Sequence, residues 1–149
     1  MNAAGIDVSK GKSMVSVMRP LGEVVAKPFT VCHTGSELKE LADYLKSLDG
    51  ETRVIMEHTG RYYEPVAQFL HDAGLYVSAV NPKLIKDYGN NSLRKVKTDK
   101  ADSKKIAKYG LDNWGELRQY ASMDTIRYQL KTLNRQHTLY TKMKTAMKN

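Results

Sequence analysis

A chain of 149 residues that is 41% hydrophobic can bury one substantial core, so a single α/β domain with an appendage is the expected organisation. A formal charge of +8 points to a polyanionic partner, and a lone cysteine, Cys32, excludes an internal disulfide. No apolar run reaches eighteen residues and no signal-peptide pattern is present, which excludes a helical membrane span and leads to the expectation of an intracellular, cytoplasmic protein.

Taken in chain order, Gly5 to Asp7, Ser13 to Met18 and Glu23 to Val31 read as three β-rich runs. The links Lys10-Gly11-Lys12 and Arg19-Pro20-Leu21-Gly22 are short and turn-forming, which suits an antiparallel meander. Cys32, ending Phe29-Thr30-Val31-Cys32, is expected to be a buried small hydrophobe. Ser36 is the expected N-cap of a helix whose Leu38, Leu41, Ala42, Leu45 and Leu48 share one face before Asp49-Gly50 stops it. Arg53 to Glu57 reads as a strand, and a helix from about Tyr62 runs to the Ala73-Gly74 turn. Leu75 to Val80 reads as another strand. Strands divided by crossover helices pair in parallel, so the expected fold is a mixed five-stranded sheet flanked by helices. After Asn81-Pro82 comes a short helical piece, Lys83 to Tyr88, then the polar Gly89-Asn90-Asn91-Ser92, expected as a mobile loop able to grip a substrate.

Four acids stand out against this frame. Asp7 and Glu57 each close an apolar β-type run, so each emerges at a strand edge. Asp99 and Asp102 lie one helical turn apart in Lys97-Thr98-Asp99-Lys100-Ala101-Asp102 and share a helix face. An acid after a strand is by itself more often a solvated turn residue. Four in this layout fit a two-metal phosphodiester site, because Mg²⁺ takes oxygen ligands and two ions about 3.5 to 4 Å apart stabilise both the attacking and the leaving oxygen. The histidines His33, His58, His71 and His137 are scattered without a cysteine pair, which argues against zinc.

Charge is unevenly distributed. Residues 1–80 hold eight Lys/Arg against ten Asp/Glu, and residues 81–149 hold sixteen against six. Lys83, Lys86, Arg94, Lys95, Lys97, Lys100, Lys104, Lys105 and Lys108 crowd around Asp99 and Asp102, as expected if a polyanion approaches acids that would otherwise repel it. Among these, Arg94, Lys95, Lys97, Lys100, Lys104 and Lys105 are the candidate nucleic-acid contacts, joined by Arg61 after Glu57. Lys10 and Lys12 beside Asp7 are further candidates, with solvated turn lysines as the even alternative. Tyr62 and Tyr63 have two readings, stacking on a base or burial against the sheet, while Gly60 is assigned a sharp strand-to-helix turn. A membrane surface is disfavoured, since no continuous Trp/Phe/Leu face opposes the lysines.

From Met123 the pattern changes. Met123, Ile126, Leu130, Leu133, His137, Tyr140 and Met147 recur at alternating three- and four-residue steps, with Lys144 filling one position, and no acid follows Asp124. The expectation is a catalytic domain over residues 1–115 and a coiled-coil-like helical arm over 116–149. The 123–148 helix would join homodimers or higher oligomers, in a protein that continues beyond Asn149.

Gly5-Ile6-Asp7-Val8-Ser9-Lys10, Glu57-His58-Thr59-Gly60-Arg61-Tyr62, Asn81-Pro82 and Lys97-Thr98-Asp99-Lys100-Ala101-Asp102 together resemble the amino-terminal domain of the DEDD insertion-sequence transposases, the group related to the Piv invertase. The resemblance covers about residues 3–110. It implies a RuvC-like, RNase H-like fold with Asp7, Glu57, Asp99 and Asp102 as a Mg²⁺-binding tetrad that Mn²⁺ can also serve. It also implies DNA as substrate, a guide RNA encoded by the element, and a serine nucleophile in a carboxy-terminal domain. Ser103 departs from the alanine usual after the last acid.

Three rivals stand beside a transposase: a structure-selective junction endonuclease, a non-catalytic nucleic-acid-binding dimerisation module, and an actin-like phosphotransferase. Against the last, the chain is short for two lobes and lacks a second Gly-rich phosphate turn.

Overall fold

Strand β1 (Asn2–Val8) pairs antiparallel with β2 (Lys12–Arg19), which pairs antiparallel with β3 (Glu23–Cys32), giving the meander the turn residues predict. The computed structural model describes residues 1–88 and 99–121, with the backbone alone for 99–101. Strands β4 (Thr52–Glu57) and β5 (Tyr76–Val80) run parallel to β1, each reached through a helix, and the sheet order is β3-β2-β1-β4-β5. This is the expected mixed five-stranded sheet. The loop expected at 89–92 and the arm expected from Met123 lie outside the described residues.

Because side chains alternate across a strand, β1 and β4 divide their residues between two cores. Ala4, Ile6, Val15, Val17, Val54, Met56 and Val77 face helices α1 (Gly35–Ser47) and α2 (Tyr63–Asp72), which contribute Leu38, Leu41, Leu45, Val66 and Leu70. On the other face Ala3, Met18, Ile55 and Val80 meet α3 (Pro82–Tyr88) and α4 (Asp99–Asp112) through Ile85, Ile106 and Ala107. Both faces are therefore covered, as a sheet with parallel crossovers requires.

Two local expectations are corrected. The cap of α1 is Thr34, whose Oγ1 accepts from Glu37 N at 3.3 Å, because Thr34 has extended backbone while Ser36 is already within the helix. Cys32 is exposed: Val31 points into the core, so the next side chain in the strand points out.

The chain after α4 wraps the free edge of β5. Arg53 is sandwiched between the rings of Tyr76 and Trp114, 4.3 and 4.4 Å from their centroids, and its guanidinium donates to the Trp114 carbonyl at 2.6 Å. Leu117 packs on the α4 side of the sheet, whereas Tyr120 is buried on the α2 side with its N–H donating to the Val77 carbonyl at 2.5 Å. This run covers an edge that would otherwise offer unpaired backbone groups.

Candidate active site

Ile6 and Met56 are the last paired residues of the parallel β1–β4 ladder, so Asp7 and Glu57 follow side by side on neighbouring strands, about 4.8 Å apart in backbone spacing. Both side chains point to the α4 face, because Gly5 and Ile55, two residues earlier in each strand, contact α4 there. The strand ends therefore put two acids at one place on one face, as the sequence predicts.

Helix α4 supplies the third. A Cβ on Gly5 would collide with the Ser103 carbonyl and the Ala107 amide, so the absence of a side chain lets the helix backbone lie directly on β1. Gly110 repeats the device further along, where a Cβ would sit 2.7 Å from Ile55 Cγ1. Ser103 is fully buried and shares a 2.7 Å hydrogen bond with Ser16 of β2. With Ser103 held over Gly5, the preceding Asp102 comes into the field of Glu57. Burial pushes the Glu57 carboxyl above its ordinary value, the negative charge of Asp102 pushes it further, and Lys105 partly counters both.

The backbone of Asp99 begins α4 one turn before Asp102, and its side chain lies outside the described residues. Among the described residues no group of three His, Cys, Asp or Glu is arranged to hold an ion by itself. The described acids Asp7, Glu57 and Asp102 are all hard oxygen donors, and the Glu57 carboxyl is raised first by burial and then by the negative charge of Asp102. That donor chemistry suits Mg²⁺ or Mn²⁺ rather than zinc.

The basic candidates divide. Lys10 and Lys12 are exposed in the β1–β2 turn beside Asp7, where Ser9 Oγ donates to the Lys12 carbonyl at 3.0 Å. Arg61 is exposed in the loop after Glu57, and Gly60 there has φ +59, the left-handed turn assigned to it. Lys104 is exposed on α4. Lys105 is half-buried and donates to the Lys86 carbonyl at 3.4 Å, which ties α4 to α3. Arg94, Lys95 and Lys97, and the side chain of Lys100, lie outside the described residues. Of the aromatic pair, Tyr62 is 44% exposed, whereas Tyr63 packs against the core.

A family model described as a transposase, for the IS110-type DEDD group, matches residues 4–149. The chain belongs to this transposase family. No curated protein matches it. Among solved structures, RuvC of Thermus thermophilus in complex with Holliday junction substrate is similar at a TM-score of 0.58 and 16% identity, covering 80% of this chain and 99% of that one. A second Thermus thermophilus RuvC structure aligns at a TM-score of 0.57 and 17% identity, over 80% of this chain and all of the other. At these identities the likeness establishes the fold, and this transposase-family chain has a RuvC-like, RNase H-like architecture. Among its described residues no helix is long and apolar enough to cross a membrane.

Two features of this transposase domain escaped the sequence reading. Gly5 could have been recognised as a helix-docking glycine from its place two residues before Asp7, together with the small residues Ser103, Ala107 and Gly110 along α4. The approach of Lys105 to Glu57 could have been inferred from its place three residues after Asp102 on α4, which puts both on the helix face that meets Glu57.

Proposed function

We propose that this chain carries the catalytic domain of a DNA transposase, cutting and joining phosphodiesters with divalent metal held by Asp7, Glu57, Asp99 and Asp102. The observation that carries the reading is the meeting of Glu57 with the charge of Asp102 on the face where Asp7 emerges, in a chain of the transposase family. When bound, Mg²⁺ or Mn²⁺ would stabilise the attacking and leaving oxygens of an in-line displacement at phosphorus. The carboxylates of this chain orient the ions, and the P–O bond to the leaving oxygen breaks as the new one forms. Lys10, Lys12, Arg61, Arg94, Lys95, Lys97, Lys100, Lys104 and Lys105 would hold the DNA backbone, with a guide RNA of the element directing the site.

The proposed division is a catalytic domain over 1–115 and an arm over 116–149, with Leu117 and Tyr120 docking the start of the arm on the domain. The 123–148 segment would join two copies.

The test is nicking of labelled DNA with Mg²⁺, Mn²⁺ or chelator, alongside thermal stability with the same ions. Metal-dependent cleavage and stabilisation, both lost in Asp7→Ala and Asp102→Ala, are expected. Cleavage that persists in both variants rejects the tetrad. A junction endonuclease is the second reading, favoured by the fold likeness to a RuvC solved with a Holliday junction; it requires cleavage of branched DNA over linear DNA.

A further inference from the structure

A recess of about 550 Å³ opens beside Glu57, lined by Glu57, Pro82, Lys83, Lys86 and Asp87. Its outer wall is α3. Ile85 is buried against the sheet, so α3 is seated by that residue and turns its charged residues outward. Lys83 and Lys86 are spaced to share one helix face, both are exposed, and among the described residues neither ammonium makes an ion pair. The wall is held in place from two sides. Lys105 bonds the Lys86 carbonyl, and Tyr88 at the end of α3 donates to Asp112 of α4 while its ring meets Tyr109 edge-on, 5.6 Å between centroids.

Two exposed ammonium groups, unpaired among the described residues, on a braced wall that begins at a candidate site acid have a specific use. The recess begins at Glu57, so a DNA strand with its scissile phosphate there and its flank running toward α3 would cross this rim, where its phosphates meet cations that among the described residues are not paired with carboxylates. Asp87, also exposed on this wall, lies next to Lys86 and opposes any anion at its own end, so the phosphate contacts are assigned to Lys83 and Lys86 alone. Resting on the proposed function, we propose that α3 is a phosphate-docking wall, with Lys83 and Lys86 contacting DNA backbone phosphates that flank the scissile one. The contact is sequence-independent, as phosphate contacts are.

The test uses the full chain, a short fluorescein-labelled DNA duplex and anisotropy across a salt series. Lys83→Gln/Lys86→Gln should lower the slope of log affinity against log salt by about 1.8, and weaken binding more than roughly tenfold near 0.1 M salt. Lys83→Arg/Lys86→Arg should retain the slope, which separates charge from packing. Lys39→Gln/Lys46→Gln, exposed lysines of α1 on the opposite face, should leave it unchanged. Stabilisation by Mn²⁺ should be intact in the Lys83/Lys86 glutamine variant, so the docking wall and the carboxylate site can fail independently. An unchanged slope in that variant, or an equal loss from the α1 pair, would overturn the proposal.

Discussion

Ser16 and Ser103 join β2 to α4 through a hydrogen bond of 2.7 Å between two buried hydroxyls. The bond lies under the residue next to Asp102, so it bears on where that acid stands. Ser103→Ala should cost about 1–2 kcal/mol by leaving the Ser16 hydroxyl buried with a lost partner. Replacing both by alanine should restore part of the loss, because two apolar groups of similar size remove the unsatisfied hydroxyl. A double-mutant cycle by urea unfolding measures the coupling, and full additivity would show that the pair is not energetically linked.

Gly5→Ala should be the more damaging change. Its Cβ would meet helix backbone rather than a flexible side-chain end, so α4 must move away from β1. The expected loss is about 3 kcal/mol, together with a large drop in metal-induced stabilisation as Asp102 leaves Glu57. Chemical denaturation, with and without Mn²⁺, checks both effects; a near-native response to Mn²⁺ would show that the close approach at Gly5 does not set the acids.

Most of the sheet was legible because its strands carry strong alternation and their turns carry glycine or proline. The acids Asp7 and Glu57 were legible for the same reason, as each ends such a run. Sequence alone does not separate Thr34 from Ser36 as the cap, since both are good capping residues and only backbone geometry distinguishes them. For Cys32 the apolar neighbours suggest burial, whereas alternation along the strand puts Val31 and Cys32 on opposite faces and leaves the thiol exposed. The wrap of Leu117 and Tyr120 around β5 has no periodicity and depends on contacts distant in sequence.

The raised Glu57 pKa sets a pH dependence for the metal-free protein. Burial and then Asp102 make the folded state bind this proton more tightly than the unfolded chain does. Folded stability should therefore fall as pH rises from the ordinary value of 4.5 through the raised folded value, and the penalty is complete above that. Glu57→Gln should remove this part of the slope and stabilise the metal-free domain at neutral pH. Mg²⁺ or Mn²⁺ should stabilise the parent most where Glu57 is ionised, and the Gln variant less. Thermal melts across pH with chelator and with metal test the sign; a Gln variant with an unchanged profile would show that Glu57 does not carry it.

Truncation tests the proposed arm, whose start, through Leu117 and Tyr120, is docked on the sheet and whose remainder is proposed to join two copies. A chain ending after residue 121 keeps Trp114 on Arg53, Leu117 in the α4-side core and the Tyr120 bond to Val77. It should fold, and it should sediment as a monomer, because the 123–148 seam proposed to join two copies is gone. Ending the chain after residue 113 removes those three contacts as well and reopens the β5 edge. That variant should lose several kcal/mol, by the cost of removing the buried Tyr120 and the partly buried Trp114 and Leu117, and should aggregate through the exposed strand. The full chain should show a concentration-dependent dimer, tempered by His137 and Lys144, which fall at positions of the proposed seam. Sedimentation velocity over a concentration series distinguishes these outcomes. A full chain that stays monomeric at high micromolar concentration would contradict pairing of the arm with itself and direct the search to a partner segment that this chain lacks.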